Sequence, residues 1–521
     1  MNPTPRANQF WLVLLALFWA FYGLVGRDAW KGEEALALAP ILDWLGGTMS
    51  AWNTPAPLYT LLAGLLAKAT AGFWDIQDGA RLASGVFTLI AFLFTGMTAR
   101  ALFGPGFGAA AILSLMGGLG LMLRAHALLP ETALLAAWSV LFYGVASGYG
   151  HGRRGGIAIG LSLAALTLGL RGLPDLAAGL LIVALPLLSP GWRSREYQRT
   201  ASLGISLAAG LVLLGLALLW ASGHLAGWLE WHGTSRYLPM RVLGSAYSEL
   251  AWFAWPLWPL AAWAIWHVHR RLSRTPELHP PLLMLAVLLL AALFPAWSRD
   301  GALLPVLVPL ALLSAHAVEN LRRGAAQAFY WFGVLCFLFF VLAFWVYFSA
   351  IDWSAPAKMA ARVARLTPGY HPGSVEIGAI LLAGAATLAW LIAIPLFPRA
   401  QTRPVLVWAT GMVLSWILIA ALFRPWVEAG WGYRPLIADM ARHLPRGACL
   451  KTEVDPPMAV MLRYHLKTTE GQDCPWTLKL LNRNAEKLAK TTKDDQAEII
   501  WEGSRPRYKS QIYRLEKHGD D

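Results

Sequence analysis

Charged side chains are scarce in this sequence. They make up 14% of the 521 residues, whereas hydrophobic residues make up 57%. A soluble protein of this length could not cover so much apolar surface, so a soluble globular protein is excluded. Apolar runs of about twenty residues, the length that crosses a bilayer as a helix, recur between Phe10 and Phe423. Because lipid offers the backbone no hydrogen bonds, the sequence predicts an all-α polytopic membrane protein.

Cysteine is also rare, with three residues in the chain. Cys336 lies within an apolar run, where we expect an ordinary small core residue. Cys449 and Cys474 lie in the C-terminal tail and could form a disulfide if that tail faces an oxidising compartment. The sequence leaves both the paired and the free state open.

Two further signals are absent. No convincing small-residue cleavage site follows the first apolar run, FWLVLLALFWAFYGLVG, so we interpret it as a membrane span and not as a signal peptide. No internal repeat relates two halves of the chain, whereas transporters built from repeats are expected to show one. This absence argues against a transporter.

The net charge of +13 could suggest nucleic acid as a partner, but its distribution indicates otherwise. Arginines gather in short connections between apolar runs, and the intervening connections are poorer in basic residues. This is the positive-inside pattern, which places the arginine-rich connections and the N-terminus in the cytoplasm. The connections are HGRRGG (151–156), GWRSREYQR (191–199), HVHRRLSR (267–274), ENLRRG (319–324) and PRAQTRP (398–404).

Alternation from a cytoplasmic N-terminus predicts about thirteen spans within residues 1–423. The segment 51–73 is apolar too, but counting it would place the arginine clusters outside. We therefore expect two surface helices, around 33–45 and 57–70, in a first periplasmic loop over 27–80. The predicted spans are 10–26, 81–102, 107–123, 132–149, 157–170, 175–190, 201–221, 250–267, 281–296, 302–318, 327–349, 376–396 and 404–423.

The composition changes after Phe423, and charges occur throughout the tail 424–521. DPPMAVMLRYHL and WTLKLLNRNAEKLAK are typical of helices, and AEIIWEG and SQIYRLEK are typical of strands. The tail is therefore predicted to be a small soluble α/β domain. An odd number of spans places it in the periplasm of a Gram-negative bacterium, with the protein in the inner membrane.

The predicted periplasmic loops carry basic residues that the positive-inside rule does not explain. Each lies near a carboxylate, which fits either salt bridges and snorkelling side chains or a site that grips a phosphate and activates a hydroxyl. We expect these groups to converge in one pocket. The basic residues are Arg124, Arg171, Arg236 and Arg299, and the acids are Glu131, Asp175, Glu230 and Asp300.

An acidic pair, Glu33 and Glu34, follows the first span, and its surroundings resemble a known family. In order, the matching segments are GRDAWKGEEALALAPIL, TPAPLYTLLAGLL, GARLASGVF, RAHALLPETALLAAW, LRGLPDLAAGLLIVALPLL, WLEWHGTSRYLP and SRDGALLPVLVPLALL. They resemble GT-C type glycosyltransferases, in particular the branch of lipid A aminoarabinose transferases and protein O-mannosyltransferases. The resemblance covers most of the membrane region.

This resemblance implies a sugar donor on a polyprenyl phosphate, expected to be undecaprenyl phosphate, and an acceptor hydroxyl at the periplasmic membrane surface. It places Glu33 at the base, Glu34 beside it and Glu131 near a second acid. One-step attack would invert the anomeric centre. The residues expected to contact the donor phosphate are Arg81, Arg171, Arg236 and Arg299.

The chain departs from the family pattern at two places. Residues 53–56 read NTPA where the family usually has a Lys before its PPLYYW-like segment, and Glu33 stands where an Asp is usual. These departures concern the identity of the donor more than the type of reaction. The acceptor, whether lipid A, another lipid or a protein Ser or Thr, stays open.

A divalent cation could help to neutralise the phosphate, although the sequence has no dedicated ligand cluster, so the metal is left unknown. A flippase for a lipid-linked sugar is the first alternative function, and a non-catalytic membrane scaffold is another. Charge concentrated at one face of the membrane favours an enzyme over a flippase. Membrane lipids are expected partners, and nucleic acid is not.

Overall fold

The computed structural model describes residues 5–148, 150, 152–170, 172–232, 249–292, 299–466, 469–471, 474–482 and 497–518. Most of these residues are helical. The α-helices are Pro5–Phe21, Gly32–Leu45, Pro57–Thr70, Ile76–Phe103, Phe107–Met116, Leu119–Arg124, Glu131–Ser147, Gly152–Gly169, Leu173–Ala184, Arg195–Ala221, Leu225–His232, Leu257–Val268, His279–Ala291, Arg299–Leu303, Leu307–Glu319, Arg323–Asp352, Ala357–Leu366, Ile377–Leu396, Arg403–Leu422, Arg424–Trp431, Arg434–Ala441 and Pro456–His465. Short 3-10 turns lie at Ala51–Asn53, Leu185–Leu188, His269–Arg274, Pro276–Leu278 and Leu304–Val306.

Within the described residues, six helical segments are long and apolar enough to cross a membrane. They are Ile76–Phe103, Arg195–Ala221, Gly301–Glu319, Arg323–Asp352, Ile377–Leu396 and Arg403–Leu422. Shorter apolar helices lie among them, for example Glu131–Ser147. The chain is a multi-pass membrane protein, and the total of about thirteen spans stays a prediction.

Burial separates central helices from peripheral ones. The most apolar window of Gly301–Glu319 is 94% buried by protein, whereas the windows of Arg195–Ala221 and Ile377–Leu396 are each 17% buried. Peripheral side chains such as Leu213 and Ile392 are exposed by more than half of their surface. Exposed apolar surface of this extent on long helices is what lipid solvates.

The predicted span 107–123 is not one continuous helix, because it breaks at two adjacent glycines. Phe107–Met116 ends before Gly117, and Leu119–Arg124 begins after Gly118. The Nε1 of Trp408 donates a hydrogen bond to the Gly117 carbonyl at 2.9 Å, and a Cβ on Gly117 would lie 2.7 Å from the Trp408 ring. Close approach of this indole therefore requires glycine at the break. The predicted span 250–267 is also interrupted, since its helix Leu257–Val268 begins only after Pro256.

The two helices predicted between the first two long apolar segments are present. Gly32–Leu45 and Pro57–Thr70 have fourteen residues each. A helix of this length spans about 21 Å, which is shorter than a bilayer core of about 30 Å. The helix around 57–70 does not by itself reach across a bilayer core, and its position along the membrane surface stays a prediction.

The chain divides into two compact units. One comprises 1–25, 40–339 and 387–416, and the other comprises 26–39, 340–386 and 417–521. The second unit thus joins the start of the first loop, 26–39, to the C-terminal tail. The domain boundary predicted at residue 423 stays a prediction, and the second unit also contains 340–386.

The tail contains a five-stranded sheet. Its strands are β1 (Cys449–Glu453), β2 (Thr469–Glu470), β3 (Trp476–Asn482), β4 (Ala497–Gly503) and β5 (Gln511–His518), in the spatial order β2-β1-β3-β5-β4. β1 is parallel to β2 and β3, and β5 is antiparallel to β3 and β4. Helix Pro456–His465 connects β1 to β2 and buries Met458, Met461 and Leu462. The predicted α/β domain is confirmed.

One secondary-structure prediction for the tail is wrong. The start of WTLKLLNRNAEKLAK, predicted as a helix, forms strand β3, and residues 483–496 lie outside the described part of the chain. β3 pairs with β1 on one side and with β5 on the other. Backbone pairing on both edges outweighs a weak helical preference, which tertiary context often overrides.

The disulfide between Cys449 and Cys474 is formed, with 5.0 Å between the Cα atoms.

Candidate active site

The acidic pair Glu33–Glu34 opens helix Gly32–Leu45 in the second unit. Backbone N–H groups point outward at a helix N-terminus, and its dipole favours negative charge there. The two side chains differ in their surroundings. Glu34 is buried, with 3% of its surface exposed, whereas Glu33 is half-buried. Glu33 is thus the more accessible carboxylate of the pair.

Arg27 holds Glu34. Its two terminal nitrogens donate to the two carboxylate oxygens at 2.7 and 3.0 Å, and both side chains are buried. The backbone N–H of Trp30 donates to the same carboxylate at 3.1 Å, and the Arg27 guanidinium lies 4.4 Å from the Trp30 ring centroid. This bidentate arrangement is the strong form of an arginine–carboxylate pair. It favours an anchoring role for Glu34.

Asp28 attaches the same segment to the chain after the last long apolar helix. Its carboxylate accepts hydrogen bonds from the backbone N–H groups of Tyr433 at 2.7 Å and Arg434 at 2.6 Å. The Nε2 of His465 lies 3.5 Å from the other carboxylate oxygen, and the Asp28 N–H donates to Glu428 at 3.3 Å. These partners are about 400 residues away in the sequence. Asp28 therefore holds the residues just before helix Gly32–Leu45 against the tail.

The pKa values of Asp28 and Glu428 are shifted in opposite directions. Burial raises the pKa of Asp28, but the nearby His465 and the hydrogen bond from the Arg434 N–H outweigh this effect, so the net pKa lies below the ordinary value. Burial raises the pKa of Glu428, and its hydrogen bond with the Asp28 N–H offsets this only in part. Asp28 is thus the better-stabilised anion of the two.

The second predicted acid, Glu131, lies in the first unit and begins helix Glu131–Ser147. Arg124 donates to Glu131 at 3.3 Å, and both side chains are buried. A Cβ built on Gly301 would lie 2.2 Å from Glu131 Oε1, so the carboxylate lies directly against the backbone of Gly301. The structure therefore brings Glu131 together with Arg124 and with the turn that follows Arg299.

Arg81 is completely buried in the first unit. Its Nη1 donates to Asp78 at 2.8 Å and to the Leu24 carbonyl at 2.7 Å. The bond to Leu24 connects helix Ile76–Phe103 to the residues that follow the first helix, Pro5–Phe21. The geometry favours a structural role for Arg81 over direct phosphate contact, which stays a prediction.

The remaining predicted arginines are described only in part. Arg171 and Arg236 lie outside the described residues. Arg299 begins helix Arg299–Leu303, but its side chain also lies outside the description. Asp175, beside Arg171 in sequence, is buried in the first turn of helix Leu173–Ala184. The phosphate-binding roles of these arginines stay predictions.

Within the described residues, no group of three or more His, Cys, Asp or Glu side chains is arranged to hold a metal ion. His126 approaches the Trp19 carbonyl at 2.7 Å and the Met122 carbonyl at 3.1 Å. His232 approaches the Trp228 carbonyl at 2.9 Å. Both are hydrogen-bonded structural histidines.

Two sets of contacts around the candidate residues were not predicted from the sequence. Asp78 lies three residues before Arg81 on one helix, a spacing that places charged neighbours side by side and could have been recognised. The contacts of Asp28 with residues 428–434 have no local sequence signal, because folding alone brings these segments together.

The fold is that of a solved membrane protein. The structure of ArnT from Cupriavidus metallidurans bound to undecaprenyl phosphate matches this chain with a TM-score of 0.68 and 16% identity, covering 98% of each chain. The same protein in its apo state matches with a TM-score of 0.66, the same identity and the same coverage. An oligosaccharyltransferase from Archaeoglobus fulgidus, solved with zinc and sulfate, gives a TM-score of 0.42 at 10% identity and is too distant to support an argument.

No protein-family model matches the sequence, and the comparison with curated proteins gives no match either. The structural match to ArnT nevertheless covers 98% of both chains. The chain has the GT-C type membrane fold of ArnT, and the fold expected from the ordered loop motifs is confirmed.

Proposed function

We propose that this protein is an integral-membrane glycosyltransferase that moves a sugar from a polyprenyl-phosphate donor to an acceptor hydroxyl. The observation that carries the proposal is the full-length match to ArnT, a protein solved bound to undecaprenyl phosphate. Fold alone does not fix activity. The acidic helix start at Glu33 and Glu34, which the loop motifs predicted, supplies the second line of support.

In the proposed reaction, Glu33 removes the proton of the acceptor hydroxyl. The acceptor oxygen then bonds to the anomeric carbon of the sugar as the bond from that carbon to the donor phosphate oxygen breaks. The bonding electrons leave with the polyprenyl phosphate, and the anomeric centre inverts. Arg171, Arg236 and Arg299 are the proposed groups that stabilise the charge developing on the phosphate.

Glu34 and Glu131 take supporting roles in this scheme. Each carboxylate is held by a buried arginine, Glu34 by Arg27 and Glu131 by Arg124. Both carboxylates are also almost completely buried, whereas Glu33 is only half-buried and therefore easier for an acceptor to reach. We therefore assign base catalysis to Glu33 and anchoring of two active-site segments to the other two residues.

The proposed donor is undecaprenyl phosphate carrying a sugar, with an aminoarabinose-like sugar as the first candidate. The proposed acceptor is lipid A in the periplasmic leaflet of a bacterial inner membrane. A protein Ser or Thr is the alternative acceptor. Comparing lipid A masses and periplasmic glycoproteins from cells with and without the gene separates these two.

Incubation of the purified protein with defined undecaprenyl-phosphate sugars tests the activity directly. We expect donor consumption, with release of undecaprenyl phosphate, for one sugar class in the presence of acceptor lipid. Parallel reactions with EDTA and with added divalent cations measure any dependence on a metal. Absence of donor consumption across the sugar series, with a folded protein in lipid, would contradict the proposal.

A further inference from the structure

The second unit carries a cationic helix face that the proposed reaction does not use. Helix Ala357–Leu366 lies in the connection between the long apolar helices Arg323–Asp352 and Ile377–Leu396. It begins five residues after Asp352, so even an extended chain keeps its start within about 17 Å of the end of that membrane-crossing helix. The helix is thus confined to the neighbourhood of a membrane surface.

Three basic residues share one face of this helix. Lys358, Arg362 and Arg365 are separated by four and three positions, which places them along a single stripe. All three are exposed, and no described carboxylate forms a salt bridge with any of them. We call these three side chains the basic stripe.

The opposite face of the helix is turned inward. Val363 is buried, and it lines a small cavity of about 60 Å³ together with Ala360 and Thr367. Ile351 and Trp426 from the same unit also line this cavity. Because packing fixes one face toward protein, the basic stripe is fixed outward.

The ends of the helix carry anchors suited to a membrane interface. Trp353 is 56% exposed before the helix, and Leu366 is 42% exposed at its last residue. Aromatic and long apolar side chains favour the interface between headgroups and acyl chains. The loop around the helix, 353–376, contains Glu376 as its one acidic residue, so its charge is predominantly positive.

We propose that the basic stripe binds the headgroups of anionic phospholipids in the leaflet that this loop faces. Clustered Lys and Arg side chains near a membrane attract anionic headgroups, with an effect of about five-fold per residue in local binding. Anionic phospholipid is favoured over a protein partner because chain geometry holds the helix near the membrane surface and the exposed Trp353 and Leu366 at its ends suit the lipid interface.

Site-specific quenching tests this proposal without measuring transfer. The protein, with Cys336→Ser to remove its free thiol, carries a fluorophore on Ala361→Cys, an exposed position beside the stripe. It is placed in nanodiscs of neutral lipid. These contain a minor fraction of a lipid with a nitroxide on its headgroup, which is phosphatidylglycerol in one sample and phosphatidylcholine in the other. We expect several-fold stronger quenching by the anionic lipid, and high salt should remove the difference.

Matched variants assign the effect to the stripe. Lys358→Gln/Arg362→Gln/Arg365→Gln should abolish the preference, whereas the charge-conserving Lys358→Arg/Arg362→Lys/Arg365→Lys should keep it. Arg442→Gln/Arg446→Gln removes exposed basic residues elsewhere in the unit and should change nothing. Size exclusion and thermal unfolding check that each variant is folded.

Three outcomes would overturn the proposal. Equal quenching by the two lipids would show that the helix meets the membrane without headgroup selection. A preference that survives in the triple Gln variant would assign binding to other residues. Loss of the preference on addition of a trace of undecaprenyl phosphate would make the stripe part of a donor subsite instead of a general lipid surface.

Discussion

Arg27 and Glu34 form a buried bidentate ion pair, with nitrogen–oxygen distances of 2.7 and 3.0 Å. The pair lies immediately before and within the first turn of the helix that carries Glu33. Removing two charges from water is costly, and this geometry repays the cost only while both partners are present. The pair lies at the start of the helix that carries Glu33, the candidate base.

Arg27→Ala should lower the free energy of unfolding of the second unit by about 3–5 kcal/mol, because it leaves Glu34 buried without its cation. Thermal or denaturant unfolding in detergent measures the change. Arg27→Met/Glu34→Leu, which removes both charges, should recover much of the loss. Lys451→Gln breaks a more exposed pair with Glu453 and should cost less than about 1 kcal/mol. Equal effects of Arg27→Ala and Lys451→Gln would contradict the assigned role.

Glu33→Gln should reduce sugar transfer by a factor of about 10²–10⁴, the range lost when a general base is removed, while donor binding and folding are preserved. The rate of donor consumption and the thermal midpoint are measured together. Glu34→Gln is the matched neighbour and should lower the thermal midpoint as well as activity. Wild-type transfer rates in folded Glu33→Gln would remove Glu33 from the mechanism.

Asp28 and Glu428 should change stability with opposite signs. The pKa of Asp28 lies below its ordinary value of 3.8, so its stabilising effect is complete above that pH and is lost as pH falls through the lowered pKa. Asp28→Ala should therefore cost about 3 kcal/mol at neutral pH, since two charged hydrogen bonds are lost. Unfolding curves across an acid series should show its difference from wild type shrinking below pH 3.8.

Glu428→Gln provides the opposite case. The pKa of Glu428 is raised above its ordinary value of 4.5, so its charged form opposes folding once the pH exceeds the raised pKa. The Gln variant should be more stable than wild type at neutral pH and lose this advantage below pH 4.5. A destabilised Glu428→Gln at neutral pH would show that the carboxylate is needed as an anion.

The disulfide between Cys449 and Cys474 joins positions 25 residues apart in the tail domain. Replacing both with Ser should destabilise that domain by about 3 kcal/mol, because the unfolded chain regains the entropy of an open loop. Limited proteolysis with and without reductant follows the change. Insensitivity of the wild-type domain to reductant under unfolding conditions would argue that the bond is not formed in the isolated protein.

Membrane orientation can be measured with single cysteines. In a Cys336→Ser background, a cysteine at Arg446 reports on the tail, and one at Arg154 reports on an arginine-rich loop. A membrane-impermeant maleimide should label Arg446→Cys in intact spheroplasts and Arg154→Cys only after lysis, as the positive-inside distribution predicts. The reverse pattern would place the tail in the cytoplasm.

The sequence by itself determined the membrane class, the two short helices after the first span, the strands AEIIWEG and SQIYRLEK, and the acidic helix start. These features follow from apolar runs, periodicity and charge placed along neighbouring residues, which local physics governs. It did not determine that Glu34 is tied to Arg27, that helix 107–123 breaks at Gly117 or that WTLKLLN is a strand.

Only the tertiary structure decided those points. Each depends on a group that is remote in sequence, or on which of two adjacent side chains, Glu33 or Glu34, forms the ion pair. Trp408 packs on Gly117 from almost 300 residues away, β5 supplies one edge partner of β3, and Tyr433 and Arg434 supply the hydrogen bonds of Asp28. A local pattern records which side chains are present. The partner that each buried polar group must find is fixed only when the chain is folded.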